Sequence, residues 1–203
     1  MRKYKKINFI KDSSVFISPC EGHLIVSLIN KDNIYCFKGV KYHLSDLLKD
    51  NSLALEYIGG YLLVFRLKPV DYHRYIFIDD GIQKKENICF IKGKFHTINP
   101  IAFKYFNVFY ENSREYNILH TINFGKLIQM EIGALLVSKI NNHPIISFKK
   151  GQEKGYFSFG GSTIVLLLKK NVVFLENFIL ENSKKNIETK INLGDKIGTR
   201  YFN

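Results

Sequence analysis

The stretch EKGYFSFGGSTIVLLLKK, from Glu153 to Lys170, places a serine directly after two glycines and between two apolar runs. Glycine accepts positive φ without steric cost, so Gly160 and Gly161 predict a hairpin turn between two strands. The same glycines leave the carbonyl group before Ser162 sterically open. A serine hydroxyl becomes a nucleophile only where a base lies beside it. Taken alone, the stretch fits an ordinary turn as well as a reactive serine.

A second polar stretch, RLKPVDYHRYIFIDDG, holds residues suited to acid–base chemistry. Asp71 and His73 are two residues apart and would share one face of a strand. An imidazole beside a carboxylate is a common arrangement for a general base. Lys68 and Arg74 are candidates for binding a phosphate or a carboxylate. The alternative interpretation is a polar turn with a hydrogen-bonded histidine.

Three other stretches contain polar residues that are weak signals one by one. SPCEG contains Glu21, KFHTINP contains His96, and YENSREYNIL contains Arg114. Each stretch fits a plain turn or the start of a strand equally well. The histidine and cysteine spacings match no metal-binding pattern, so we predict no metal site.

The elements that must position these residues are mostly strands. Short runs rich in β-branched and aromatic residues recur along the chain and are bounded by Gly, Asn, Asp or Lys. We predict a mainly β (α+β) fold: one domain, 1–203, of antiparallel sheets with a few short helices. The leucine spacing in YHLSDLLKD predicts a helix capped by Ser45. The stretches NPIAFKYF and GKLIQMEI fit either a helix or a strand.

The formal net charge is +12, from 30 Lys and Arg against 18 Asp and Glu. Such a charge suggests an anionic partner, whether nucleic acid, an anionic membrane surface or acidic small molecules. It fits a basic surface without a specific partner as well. No apolar run is long enough to span a membrane, and the three cysteines form no close pair. We therefore expect a cytoplasmic protein whose membrane contact is peripheral.

In their order along the chain, the motifs resemble the phosphatidylserine decarboxylase family of pyruvoyl enzymes, from about Ser18 to Gly198. The most specific of them is KGQEKGYFSFGGST, preceded by DYHR. It is similar to that family's Lys-Gly-x-Glu-x-Gly…Gly-Ser-Thr processing site. The resemblance implies a proenzyme in which the Ser162 hydroxyl attacks the carbonyl of Gly161. Elimination would then cut the chain into a β chain, 1–161, and an α chain, 162–203.

The resemblance also implies the reaction and the covalent cofactor, a pyruvoyl group made from Ser162. The amine of phosphatidylserine would form a Schiff base with the pyruvoyl ketone, lose carbon dioxide and leave as phosphatidylethanolamine. Glu21, His73 and Ser162 would form the charge relay. Four residues are weaker candidates for substrate binding: His96, Lys68, Arg74 and Arg114.

The implied partners are an anionic phospholipid and the membrane that contains it. The chain would work on the inner face of the cell membrane and would not bind nucleic acid. The two pieces of the precursor would stay together. Whether the protein forms a homodimer is left open. Few residues precede Ser18, so we expect another route to the lipid than the longer amino-terminal segment of many relatives.

Two positions depart from the family pattern. Glu21 stands where members usually have Asp, and Ile76 stands where many have a second histidine assigned to self-cleavage. One alternative is therefore an unprocessed relative that binds anionic lipid and never forms the pyruvoyl group. Another is a pyruvoyl decarboxylase that acts on a different amino-acid headgroup.

Overall fold

Antiparallel strands rich in β-branched and aromatic residues make up most of the chain. The computed structural model describes residues 8–37, 40–94, 96, 108–134, 140–158 and 162–201. These residues form one domain with a few short helices, which confirms the predicted mainly β (α+β) class. Gly160 and Gly161, and with them the predicted hairpin turn and the residue before the predicted cut, lie outside the described residues.

The strands are, in chain order, β1 (Val15–Ile17), β2 (Gly22–Leu28), β3 (Ile34–Phe37), β4 (Val40–His43), β5 (Tyr61–Leu67), β6 (Arg74–Ile76), β7 (Gly81–Ile91), β8 (Arg114–Thr121), β9 (Gly125–Ile132), β10 (Ile140–Asn142), β11 (Ser147–Phe148), β12 (Glu153–Phe157), β13 (Ser162–Leu168), β14 (Val173–Leu175), β15 (Thr189–Ile191) and β16 (Lys196–Arg200). The helices are α1 (Leu44–Leu48), α2 (Asn51–Leu55), α3 (Val108–Glu111) and α4 (Asn177–Lys184).

The largest sheet has eight antiparallel strands in the order β11-β7-β8-β9-β13-β5-β2-β15. Two three-stranded sheets, β10-β12-β6 and β1-β16-β14, and the β3-β4 hairpin complete the described strands. Side chains of β12 reach those of β8 and β9, because the Nζ atom of Lys154 lies 2.7 Å from Asn117 Oδ1 and 2.8 Å from Glu131 Oε2. The small β10-β12-β6 sheet thus covers part of one face of the large sheet.

Strand β13 runs through the interior of the large sheet, between β5 and β9. All seven of its residues are buried, as expected for the unbroken apolar run TIVLLL. Its first residue, Ser162, pairs with Leu67 at the end of β5, and Thr163 pairs with Ile132 at the end of β9. The apolar run therefore fixes Ser162 at one end of the central strand.

The helical predictions are only partly confirmed. Helix α1 does form, but His43 occupies its N-cap and no side chain caps it, so the predicted cap at Ser45 is wrong. The ambiguous stretch GKLIQMEI is strand β9, and NPIAFKYF lies outside the described residues. None of the helices in the described part of the chain has the length and apolar character needed to cross a bilayer.

Candidate active site

Polar motifs that are far apart in sequence meet at the end of the large sheet where β13 begins. Ser162 pairs with Leu67, the last residue of β5. On the other side of β5, His23 pairs with Arg66, so Gly22 at the start of β2 lies level with Leu67. The SPCEG turn, which ends at Gly22, and the DYHR stretch, which follows β5, therefore both flank the serine.

Ser162 is fully buried, and its hydroxyl is not hydrogen-bonded. The residue has no exposed surface, and the Oγ atom has no hydrogen-bond partner in the part of the chain that the structure describes. Nearly all buried polar side-chain atoms in proteins have such a partner, so an unbonded one calls for an explanation, of which a catalytic role is one. The hydroxyl is held inside the protein and is not occupied by a structural hydrogen bond.

His73 lies beside the strand that leads to this serine. Its carbonyl oxygen accepts a hydrogen bond of 3.0 Å from the N–H of Phe157, the last residue of β12. The two rings also pack edge to face, with 6.5 Å between their centroids. Because only residues 158–161 separate β12 from Ser162, these contacts bring His73 to the segment in which the predicted cut lies.

The hydrogen bond of the His73 ring determines its tautomer. The Nδ1 atom lies 2.8 Å from the backbone carbonyl oxygen of Asp71. A carbonyl oxygen can only accept, so Nδ1 donates its N–H to that oxygen and Nε2 is the ring nitrogen that remains for proton transfer. Nε2 is buried and binds no atom of the described residues. The imidazole is thus ready to take a proton, although the backbone oxygen of Asp71 orients it where we expected the carboxylate.

The Asp71 carboxylate fixes the turn that carries His73. One oxygen accepts the backbone N–H of Lys68 at 2.7 Å, and the other lies 2.8 Å from the ammonium of Lys190. The Nδ1 atom of His23 is 3.7 Å from the same carboxylate. Burial alone would raise the pKa of Asp71, but the hydrogen bonds from Lys190 and Lys68 outweigh it and hold the pKa below its ordinary value. Asp71 is therefore an anion that positions the histidine through its backbone.

Glu21 joins this cluster by a different route from the predicted one. Its Oε1 atom lies 3.4 Å from Lys190 Nζ, which also binds Asp71. Among the described residues no contact joins Glu21 to His73, whose Nδ1 is already bonded. The charge relay of Glu21, His73 and Ser162 therefore stays a prediction, and the contacts that are present link Glu21 to the turn through Lys190.

Ile76 lies beside the SPCEG turn. Its N–H donates to the carbonyl oxygen of Pro19 at 2.9 Å, and its side chain is buried in the hydrophobic core. Position 76 is thus adjacent to the turn that carries Glu21. Isoleucine at this position offers no group that can transfer a proton.

A family model for phosphatidylserine decarboxylase matches residues 2–199 of the chain. The chain belongs to the phosphatidylserine decarboxylase family. It is 52% identical over 193 residues to phosphatidylserine decarboxylase proenzyme 2 of Clostridium acetobutylicum, covering 95% of this chain and 66% of that protein. It is 43% identical over 206 residues to the proenzyme of Clostridium novyi, covering 97% and 69%. For the proenzyme of Clostridium botulinum strain 657 the identity is 44%, covering 93% and 65%.

The chain thus spans about two thirds of the length of these phosphatidylserine decarboxylase proenzymes, from 65% to 69%. The family that the motifs indicated is confirmed by the matched model and by these relatives. The processing motif and the DYHR stretch, on which the resemblance depended, both lie within the matched residues.

The weaker candidates for substrate binding in this decarboxylase family member lie in different places. Lys68 is in the turn next to Asp71 and is partly exposed. Arg74 lies on the outer side of β6, where it binds the carboxylate of Glu153 at 2.7 Å. His96 is 2.7 Å from the carboxylate of Glu111. Of these three, Lys68 is the one that the structure brings to the Ser162 end of the sheet, through its bond to Asp71.

Arg114 lies at the same end of the large sheet but serves the backbone. It is fully buried, and burial lowers its pKa from the ordinary value. Its guanidinium donates to the carbonyl oxygens of Leu47 (2.8 Å), Tyr110 (2.8 Å), Asn112 (3.0 Å) and Asp46 (3.2 Å). These bonds tie helix α1 and the end of helix α3 to the start of β8, which favours a structural role over the predicted contact with a phosphate.

Sequence reasoning missed three polar residues of this region. His23 and Lys190 approach Asp71, and Lys154 is buried against Glu131. No short motif contains these contacts, since the partners are separated by 23 to 119 positions. The alternation of a regular strand would even have placed Lys154 on the face opposite to the buried Phe157.

Proposed function

We propose that the chain is a self-processing phosphatidylserine decarboxylase whose cofactor is a pyruvoyl group made from Ser162. One observation carries the proposal: the Ser162 hydroxyl and His73 Nε2 lie at the same end of the sheet, both buried and both without a partner among the described residues. The relatives described above are named phosphatidylserine decarboxylase proenzymes, which supports both the substrate and the processing.

The self-cleavage would begin when Ser162 Oγ attacks the carbonyl carbon of Gly161 as Nε2 of His73 takes the hydroxyl proton. The peptide C–N bond breaks, the serine nitrogen becomes an amine, and an ester joins the two residues. Loss of the α proton then expels the carboxylate of Gly161 and cuts the chain. Addition of water and release of ammonia complete the conversion of the serine atoms into the pyruvoyl group.

The residues around Ser162 fit such a group. The serine is buried, its Oγ is not used for folding, and β13 holds the residues after it between β5 and β9. The pyruvoyl group supplies a ketone that captures the substrate amine and accepts the electrons released with carbon dioxide. His73 would move the protons at its Nε2 atom, and Asp71 would keep its Nδ1 protonated.

The substrate would be an anionic phospholipid in the inner face of the cell membrane, which the chain reaches peripherally. The net charge of +12 supports binding to such a surface. Lys68 and Lys190 flank Asp71 at the Ser162 end, and both are at least partly exposed. They are our candidates for contacts with the headgroup phosphate, in preference to the buried Arg114.

The test of the proposal is the change of Ser162 to Ala. Wild-type protein should give two pieces by intact mass, corresponding to 1–161 and 162–203, and should release carbon dioxide from phosphatidylserine in vesicles. The Ser162→Ala chain should remain at 23.7 kDa and be inactive. Ser158→Ala is the matched control, because Ser158 also lies close to the predicted cut in sequence and its Oγ accepts a bond from the side chain of Asn141. Decarboxylation by the Ser162→Ala protein would refute the mechanism.

A second candidate function is an unprocessed relative that only binds anionic lipid. The buried Ile76 beside the SPCEG turn favours it, because an apolar side chain occupies the position expected for a proton carrier. The same mass measurement separates the two functions: a wild-type chain that stays uncut while it binds anionic vesicles would support the second.

A further inference from the structure

Lys154 and Glu131 form a buried ion pair between the two sheets. Their side chains are 1% and 0% exposed, and 2.8 Å separates Lys154 Nζ from Glu131 Oε2. The ammonium also donates to Asn117 Oδ1 at 2.7 Å and to Asn142 Oδ1 at 3.0 Å. All three of its hydrogens are therefore used, so Lys154 is held as a charged, immobile group and is not a nucleophile.

A β-bulge turns Lys154 toward the inside. In the pairing of β12 with β6, Glu153 lies opposite Ile76 and Gly155 lies opposite Tyr75, so Lys154 is the extra residue. Such a bulge re-aims a side chain and is often found next to active sites. It places the lysine 5.7 Å from the centroid of the Tyr75 ring, on the face that β12 presents to the large sheet.

Gly155 allows the close approach that the ion pair requires. A Cβ atom at this position would lie 2.4 Å from the carbonyl oxygen of Asn141, 2.8 Å from Tyr75 Oη and 2.9 Å from Asn142 Oδ1. Two of these three atoms belong to residues that surround Lys154. Gly155 and the bulge at Lys154 thus both allow the close contact of the lysine with the residues around it.

The ion pair lies close to Ser162 on one face of the large sheet. Glu131 pairs with Ile164, which is two residues after Ser162 in β13. Side chains two residues apart point to the same face of a strand, so Glu131 is a diagonal neighbour of Ser162 on one face of the sheet. Lys154 binds that carboxylate from β12, the strand that leads into the turn before Ser162.

Stability alone does not explain such a pair. The cost of removing two charges from water usually cancels their attraction, and apolar residues of similar volume often do as well or better. Burial also raises the pKa of Glu131, in spite of the nearby Lys154. What the pair adds over apolar packing is a single permitted geometry between β12 and β9.

We propose that Lys154 and Glu131 are positioning residues, which hold the strand before the cut, β12, in register with the strand after it, β13. The inference rests on the proposed self-cleavage between Gly161 and Ser162. Before the cut, the pair fixes where β12 lies relative to the Ser162 end of β13. After the cut, β12 and β13 belong to separate pieces, and the pair still holds β12 against β9, the strand that pairs with β13.

The experiment compares Lys154→Met, Glu131→Gln and the double variant in the full chain. Lys154→Met leaves a buried carboxylate without its cation, and we expect it to lose stability. The double variant removes both charges, so its melting temperature should return close to the wild-type value. Its self-cleavage should nevertheless be about a hundredfold slower, because a displacement of about 1 Å can cost that much in rate. Intact mass against time measures the cut.

Lys149→Met is the matched control, because it removes an exposed lysine that binds Asp80 on the surface. It should cut at the wild-type rate. A double variant that melts like the wild type and also cuts like it would overturn the proposal, since the pair would then serve folding alone. A double variant that melts normally and cuts slowly supports it.

Hydrogen exchange of the wild-type chain gives an answer even if the double variant does not fold or the chain never cuts itself. The amides of β12 should be protected as strongly as those of β13, and Lys154→Arg, which keeps the charge, should protect them better than Lys154→Met. Exchange in wild-type β12 as fast as in the β3-β4 hairpin would overturn the positioning role. A wild-type chain that stays uncut but has protected β12 amides would refute the proposed function and leave the positioning role of Lys154 and Glu131 intact.

Discussion

Two sets of polar side chains lie on or beside β12 and β13, and they differ in their hydrogen bonding. The charged groups of Lys154 and Glu131 have all their bonds made by side chains around them. His73 Nε2 and Ser162 Oγ have no partner among the described residues. A fully bonded buried group is rigid, whereas an unbonded one can accept a new proton or bond. The first set therefore holds the strands, and the second set is left free to react.

Replacement of His73 by Asn should give the largest effect, because it removes the Nε2 atom that would transfer the proton and keeps the hydrogen bond to the Asp71 carbonyl oxygen. Asparagine retains a donor for the Asp71 carbonyl oxygen but lacks Nε2. We expect decarboxylation to fall by a factor of about 10² to 10⁴, the usual contribution of a general acid–base group, while the melting temperature changes little. Carbon dioxide release from phosphatidylserine vesicles measures the loss.

His120→Asn is the control for that prediction, since His120 is exposed on β8 and its ring lies 3.3 Å from the side-chain amide of Asn87. Self-cleavage and decarboxylation should both survive this change. Full activity of the His73→Asn protein would show that the unbonded imidazole is not the reacting group.

Replacement of Ile76 by His would extend the reactive set. A histidine at this position would lie beside the SPCEG turn, since the N–H of residue 76 bonds to the Pro19 carbonyl oxygen, and could carry the proton that isoleucine cannot. We expect pulse-labelled chains to cut at least about tenfold faster, which corresponds to about 1.4 kcal/mol of barrier. Ile78→His is the control, because it buries the same polar ring two residues away. If both variants cut no faster than the wild type, position 76 is not part of the relay.

Replacement of Gly155 by Ala would disturb the holding set. The added Cβ would lie 2.4 Å from the Asn141 carbonyl oxygen, so β12 must move. We expect a stability loss of about 1–3 kcal/mol by denaturant unfolding, together with slower self-cleavage. Gly125→Ala provides the comparison, since it is strained by its φ of +64° in the β8-β9 hairpin and meets no atom. If both variants lose the same stability and cut themselves equally slowly, β12 has no special role in self-cleavage.

The smallest effect concerns Asp71, which fixes the turn that carries His73. Its pKa in the folded protein lies below the ordinary value, after the hydrogen bonds from Lys190 and Lys68 overcome the effect of burial. Its contribution to stability is therefore present above the unfolded pKa of about 3.9 and is lost as the pH falls through the folded pKa. The melting temperatures of wild type and Asp71→Asn should differ at neutral pH and converge in acid. Asp32→Asn, in an exposed turn, should not show this convergence.

Much of the fold could be predicted from the sequence because the signals are local. The run TIVLLL indicated a buried strand, and it became the β13 strand inside the large sheet. Alternating and β-branched runs indicated antiparallel sheets, and motif order indicated the family. Helix α4 was not predicted, and the cap at Ser45 was wrong, because short helices depend on packing more than on propensity.

The sequence by itself determined which groups the chemistry has available: Ser162 after two glycines, His73 in DYHR, and isoleucine in place of a second histidine. Only the tertiary structure decided what those groups touch. The Asp71 backbone sets the tautomer of His73, Arg114 is occupied by carbonyl oxygens, and a bulge turns Lys154 inward. These outcomes follow from strand register and from contacts between distant segments. A shift of one residue in register reverses the face of every side chain, and no local pattern in the sequence reports it.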